Sequence, residues 1–128
     1  MAPDVAFREI GNGTFSPYST AQVVVVRDSA TWDATIPRLG FSVPAQSIDF
    51  GRDMAVLVAV GARATSGYSA RVTGVTQRGA GYDVHASEET PGSSCVTLPV
   101  VSQPFVVIAL ARSDAAINVA WTKVVRNC

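Results

Sequence analysis

The sequence predicts a mainly β fold: a single-domain antiparallel β-sandwich or roll of about seven to eight strands with one short α-helix at about 29–38. Three observations point there. Met54–Val60 and Phe105–Ala111 are apolar throughout, far short of the ~20 residues a membrane helix needs, and fit strands buried on both faces. Tyr82, Val84 and Ala86 alternate with Asp83, His85 and Ser87, which gives a strand with one buried face and one wet face. Clusters of glycine, proline and serine then divide the chain at roughly 8–12-residue spacing, as in sandwiches and barrels. Helical patterns do not alternate with strands, so a parallel α/β sheet is not expected. No internal repeat, low-complexity tract or linker interrupts residues 1–128.

Phe7–Ile10 reads as a short edge strand ended by Gly11-Asn12-Gly13. Gln22–Arg27 contains four consecutive valines, β-branched residues that favour a strand. Asp28-Ser29 offers helix-capping chemistry, and Trp32, Ile36 and Leu39 share one helical face. Pro37 should end or distort that helix, with Gly40 as its stop. Phe41–Ser47, holding Pro44, is a connector; Ile48-Asp49-Phe50 and the turn Gly51-Arg52-Asp53 lead into the central strand. Asp49, between two apolar neighbours, is expected to accept backbone hydrogen bonds at that turn. Gly61–Gly67 is a loop, Tyr68–Thr76 alternates as a strand, and Arg78-Gly79-Ala80-Gly81 turns into Tyr82–Glu88. After Thr90-Pro91-Gly92-Ser93-Ser94, Cys95–Val101 is expected to be extended despite Pro99. Ser113–Ala116 turns into a last strand, Ile117–Val125, carrying Trp121.

The chain of 128 residues is 48% apolar and only 16% charged. That excludes a disordered chain and implies an uncharged part of the surface, available to be covered. Ten basic and ten acidic residues cancel, without a basic run, so neither nucleic acid nor an anionic membrane surface is expected as a partner; no apolar run reaches the length that membrane insertion needs. Met1-Ala2-Pro3-Asp4 has no signal-peptide pattern. Cys95 and Cys128 are the two cysteines; a disulfide between them would staple the tail and require an oxidising compartment. The expected location is therefore extracytoplasmic (periplasm, cell envelope or secreted), with the leader outside this sequence.

The search for catalytic chemistry is short. His85 is the one histidine, on the polar face of its strand with Asp83 two residues away, but no Gly-x-Ser-x-Gly elbow accompanies it. A Cys95–His85 thiolate pair competes with the disulfide. One histidine and two distant cysteines do not supply a metal site. Gly61-Ala-Arg-Ala-Thr-Ser-Gly67 follows a strand like a phosphate loop, but its spacing differs by one and Tyr68 stands where the lysine belongs. Asp53, Glu88 and Glu89 read as solvated turn carboxylates. The chain is expected to be no enzyme and to need no cofactor.

Three segments in order carry a family likeness. They are Ile48-Asp49-Phe50 with Met54 and the valine-rich strand; Gly61 with Thr65-Ser66-Gly67-Tyr68-Ser69; and Glu88-Glu89-Thr90-Pro91-Gly92 with Cys95, then Gln103-Pro104-Phe105. Together, from about Val23 to Arg112, they resemble the C-terminal domain of PrcB-like protease-complex subunits of bacterial exported proteins, including a helix with a tryptophan at Trp32. Where that family commonly reads Thr-Gly-Gly-Tyr, this chain has Ser66 at the first glycine, and Thr97-Leu98-Pro99 replaces part of the segment before the apolar strand. The resemblance implies a non-catalytic, exported accessory domain that binds and stabilises a partner, a subtilisin-like protease.

The expected binding residues are Arg63, Thr65, Ser66, Gly67 and Tyr68, with Tyr68 as aromatic anchor; Trp32, Asp49, Phe50, Cys95 and Cys128 are expected to be structural. The alternative is a peptidase inhibitor using Thr65–Tyr68 as a loop like those of immunoglobulin-like, chagasin-like inhibitors. A hydrolase built on His85 is the third reading.

Overall fold

The structure, a computed structural model, describes residues 4–40 and 48–128; the expected connector at 41–47 lies outside the described residues. Among the described residues, seven strands form two sheets. In chain order, with one α-helix among them, they are β1 (Phe7–Gly13), β2 (Gln22–Val26), then the helix α1 (Ser29–Thr35), and β3 (Asp53–Ala59), β4 (Ser69–Arg78), β5 (Gly81–Pro91), β6 (Phe105–Ala111) and β7 (Ile117–Arg126). One sheet has the order β1-β6-β3-β2, the other β4-β5-β7.

The two apolar runs become neighbours at the centre of the first sheet. Met54 pairs with Leu110, Val56 with Ile108 and Val58 with Val106. These side chains face the second sheet, against Ala70, Val75, Tyr82, Val84 and Ala86. The alternate residues Ala55, Leu57, Ala59, Phe105, Val107 and Ala109 face the other way, against Val26, Trp32, Ile36, Leu39 and Ile48. The molecule thus has three layers: helix, four-stranded sheet, three-stranded sheet. This is why β3 and β6 carry no polar alternation: both of their faces are interior.

The helix forms as its caps and face dictate. Asp28 Oδ1 accepts a hydrogen bond from the Thr31 N–H at 2.7 Å, which lowers the Asp28 pKa. Pro37 converts the last turn to a 3₁₀ helix, Ile36–Leu39, and Gly40 stops it at φ 80°. Trp32 is buried and meets Phe50 edge-on, with ring centroids 6.1 Å apart. Phe50 is held there by the Asp49 turn: Asp49 Oδ1 accepts from Gly51 N at 3.1 Å, and its carbonyl accepts from Arg52 N and Asp53 N.

Three expectations are corrected. Cys95–Val101 is a loop, not a strand; Pro99 in its middle withholds a ladder donor that a strand there would need. β1 runs on through Gly11-Asn12-Gly13, with a register shift between Glu9 and Gly11. One pairing is not antiparallel: β7 runs parallel to β5, from Tyr82↔Ile117 to Pro91↔Arg126. The reason lies in the crossing from β6. Tyr82 Oη donates to the Ala111 carbonyl at 2.8 Å, and Ser113 Oγ donates to the Ala80 carbonyl at 2.6 Å. The end of β6 is therefore pinned beside the start of β5, and the chain that continues from it starts there too.

The parallel pairing brings the ends of β5 and β7 together, and Cys95 and Cys128 are disulfide-bonded there with Cα atoms 5.0 Å apart. Closing a span of 33 residues contributes roughly 3–4 kcal/mol in the chain-entropy account.

Ile108, fully buried between the sheets, should lose about 2–5 kcal/mol on substitution by alanine, read as a lower denaturant midpoint with an unchanged slope. Asp28→Ala should lower the melting temperature at neutral pH. The stabilisation by Asp28 exists above the carboxyl's unfolded pKa of about 3.9 and is lost as pH falls through its lower folded value. The difference in melting temperature from wild type should therefore vanish in strong acid.

Candidate protein-docking site

The loop leaving β3 and the loop between β5 and β6 lie side by side and are bonded into one surface. Arg63 and Ser102 exchange backbone hydrogen bonds of 2.8 and 2.9 Å. Ser66 N donates to the Leu98 carbonyl at 3.1 Å, and Leu98 N donates to Ser66 Oγ at 2.8 Å. Ser102 Oγ donates to the Thr65 carbonyl at 2.9 Å, and Thr65 Oγ1 to the Ser66 carbonyl at 3.0 Å. Ser66 at the first glycine position is thereby explained: its hydroxyl is an acceptor that glycine would not provide. Gly67 has φ 99°, a conformation that favours glycine, and a Cβ there would sit tightly, 3.2 Å from Pro91 and Thr97.

Under this surface lies an ion pair. Glu88 is 4% exposed. Its carboxylate accepts two hydrogen bonds from Arg63, from Nε at 2.6 Å and from a terminal guanidinium nitrogen at 3.0 Å. The same guanidinium also donates to the Ala62 carbonyl and stands 5.9 Å from the Tyr68 ring centroid. The hydrogen bond to Glu88 raises the Arg63 pKa above its ordinary value, against the opposing effect of burial. Glu88 is thus no solvated turn carboxylate. It continues the Tyr82, Val84, Ala86 parity onto the buried face, and a carboxylate there requires a fixed cation. That parity was readable in the sequence; the partner, twenty-five residues earlier, was not.

The structure therefore brings Arg63, Thr65, Ser66, Gly67 and Tyr68 together, with Tyr68 half-buried rather than projecting. The neighbouring loop adds residues that the sequence did not single out: Val96 is 94% exposed, Leu98 63%, Val101 57%, with Val100 also exposed. An apolar stretch held out to solvent by a disulfide at one end and the Ser102 bonds at the other is an unpaid exposure unless something covers it. Cys95 is part of this anchorage, while Trp32, Asp49 and Phe50 lie with the helix layer. A cavity of about 230 Å³ adjoins the ion pair, lined by Val60, Arg63, Glu88, Trp121 and Lys123 among others.

His85 is placed elsewhere, on β5, with Nε2 3.0 Å from Thr76 Oγ1. Asp83 is engaged by Arg78 at 3.2 Å. Neither orients the other.

The family model described as PrcB C-terminal matches residues 54–111. These run from the second residue of β3 to the last of β6, and they contain both loops and the ion pair. Over these residues the chain is similar to the PrcB C-terminal domain family. Ile48-Asp49-Phe50 and Trp32, which also carry the resemblance, lie before the matched residues. No curated protein matches the chain, and no solved structure does.

Removing one member of the ion pair should cost more than removing both. Arg63→Met leaves the Glu88 carboxylate buried without its cation and should cost roughly 2–4 kcal/mol, less than for a pair sealed from water. Glu88→Gln in the same chain should restore most of that stability. Denaturant titrations of the two single variants and the double variant read the cycle.

Proposed function

We propose that this chain is a non-catalytic, exported accessory domain that docks a partner protein, a subtilisin-like protease, and stabilises its folded form. The observation that carries this reading is the apolar loop Val96–Val101, held out to solvent beside Arg63–Tyr68 by the hydrogen bonds between the two loops. Ordering a loop on binding costs free energy; this one is ordered beforehand. An apolar centre flanked by Arg and Tyr has the composition of a protein interface. Binding that favours the folded protease would stabilise it by mass action. The PrcB family match supports a protease as the partner.

Extracytoplasmic placement is supported by the disulfide. Among the described residues, no helix is long and apolar enough to cross a membrane. The separate engagements of His85 and Asp83 support a non-catalytic role. The inhibitor reading is not favoured, because it needs a projecting tip at Thr65–Tyr68, whereas that segment is bonded into its neighbour.

Tagged chain incubated with an envelope extract of the native organism should retain an active-site-labelled serine protease. A Leu98→Asp, Tyr68→Ala double variant should lower its recovery at least tenfold while the chain's own melting temperature changes little. Recovery of the wild-type chain without any labelled protease would overturn the proposal.

A further inference from the structure

β7 is an edge strand. It pairs with β5 on one side, and no described strand pairs with its other side. Edge strands are commonly blunted by a proline, a bulge or an inward-pointing charge. β7 contains no proline and keeps unbroken register with β5 over all ten of its residues; its one such device is the inward-facing Lys123, a charge that disfavours a cationic or identical strand and leaves the edge open to one carrying a carboxylate. Residues 120–125 are exposed without exception.

The side chains along this edge define what fits it. Trp121, Lys123 and Val125 are the register partners of Ala86, Glu88 and Thr90 and so share the inner face of the second sheet. At the start of β5 that face is covered, and Tyr82 and Val84 are buried there. At the end of β7 it is open: Trp121 is 38% exposed and Val125 60%. Lys123 lies between them without an ion pair among the described residues. The nearest carboxylates in the register are occupied, Glu88 by Arg63 with both oxygens and Glu89 by Arg126 at 3.4 Å. β7 itself carries Lys123 and Arg126 and no carboxylate.

We propose that the free edge of β7 accepts an extended segment of a partner protein as an added strand, with a carboxylate against Lys123 and apolar side chains two residues to either side against Trp121 and Val125. Main-chain hydrogen bonds would hold the segment, and the alternate side chains would select it. The cavity beside Trp121 and Lys123 gives the apolar residue next to Trp121 a place to enter. A second copy of this chain is a poor occupant: antiparallel pairing of two β7 edges centred on Lys123 sets two ammonium groups opposite each other. The inference rests on the reading that this chain docks a partner protein, but names a second surface for it.

A short capped peptide in which valine, glutamate and valine alternate with threonine is the probe, with its lysine-for-glutamate counterpart as control. The glutamate peptide should shift the amide resonances of residues 118–126 and move the Trp121 emission to the blue. The lysine peptide should bind at least tenfold more weakly. Lys123→Glu should reverse that preference, and Lys123→Gln, which adds no charge beside Glu88 and Glu89, should abolish it. Absent binding, equal binding of the two peptides, shifts confined to residues 96–101, or sedimentation showing self-association through β7 would each overturn the proposal. Peptide failure with protease capture intact removes the β7 edge and leaves the docking loop; peptide binding without protease capture supports the edge and removes the protease reading.

Discussion

The pairing of β3 with β6 is the constraint from which the other layers follow. Both strands present apolar side chains on both faces, so neither face can meet water. One face takes the second sheet. The other takes α1 and its 3₁₀ extension, a small element that suffices because Trp32, Ile36 and Leu39 together cover the small and medium side chains Ala55, Leu57 and Ala59. The loops at the ends of these central strands inherit their rigidity. Residues 60–68 leave β3 and residues 92–104 enter β6, so the surface these two loops form is attached to the most deeply buried strands of the molecule.

Charge enters this arrangement sparingly. Glu88 continues an inward-facing row at the point where the first sheet no longer covers the second, and Arg63 reaches in from the loop above to meet it. A pair of this kind fixes position more than it adds net stability. Here it fixes the loop that leaves β3 onto β5, and the backbone exchange between Arg63 and Ser102 passes that placement to the next loop. The apolar residues at 96–101 are exposed because their backbone is committed to this network, which leaves their side chains outside it.

Much of the fold was legible because the sequence uses simple periodicities. The two unbroken apolar runs, the alternation of Tyr82–Ala86 and the helical spacing of Trp32, Ile36 and Leu39 each have one economical solution, and the structure adopts it. Asp49 at its turn and Asp28 as a cap were readable for the same local reason. The direction of β7 was not, since register depends on where β6 ends. The disulfide held the missing information: Cys95 closely follows β5 and Cys128 closely follows β7, so bonding them requires the two strands to finish together. The candidate site was half legible. Arg63–Tyr68 was marked by its position after a core strand, whereas the 96–101 loop was disguised by apolar alternation that resembles a strand, and Glu88 by acidic neighbours that resemble a turn.

The covalent ring closed by Cys95 and Cys128 contains both β6 and β7, one from the middle of the first sheet and one from the edge of the second. An edge strand of an open sheet would ordinarily fray on its own. This one is tethered at its far end to the start of the loop that feeds β6, and at its near end it follows directly from β6. Its detachment therefore cannot travel far without disturbing the central pair. The bond joins the most exposed strand to the most protected one in a single cooperative unit, so exchange of the β7 amides that are bonded to β5 should in the oxidised protein resemble that of the core more closely than their solvent exposure alone would suggest.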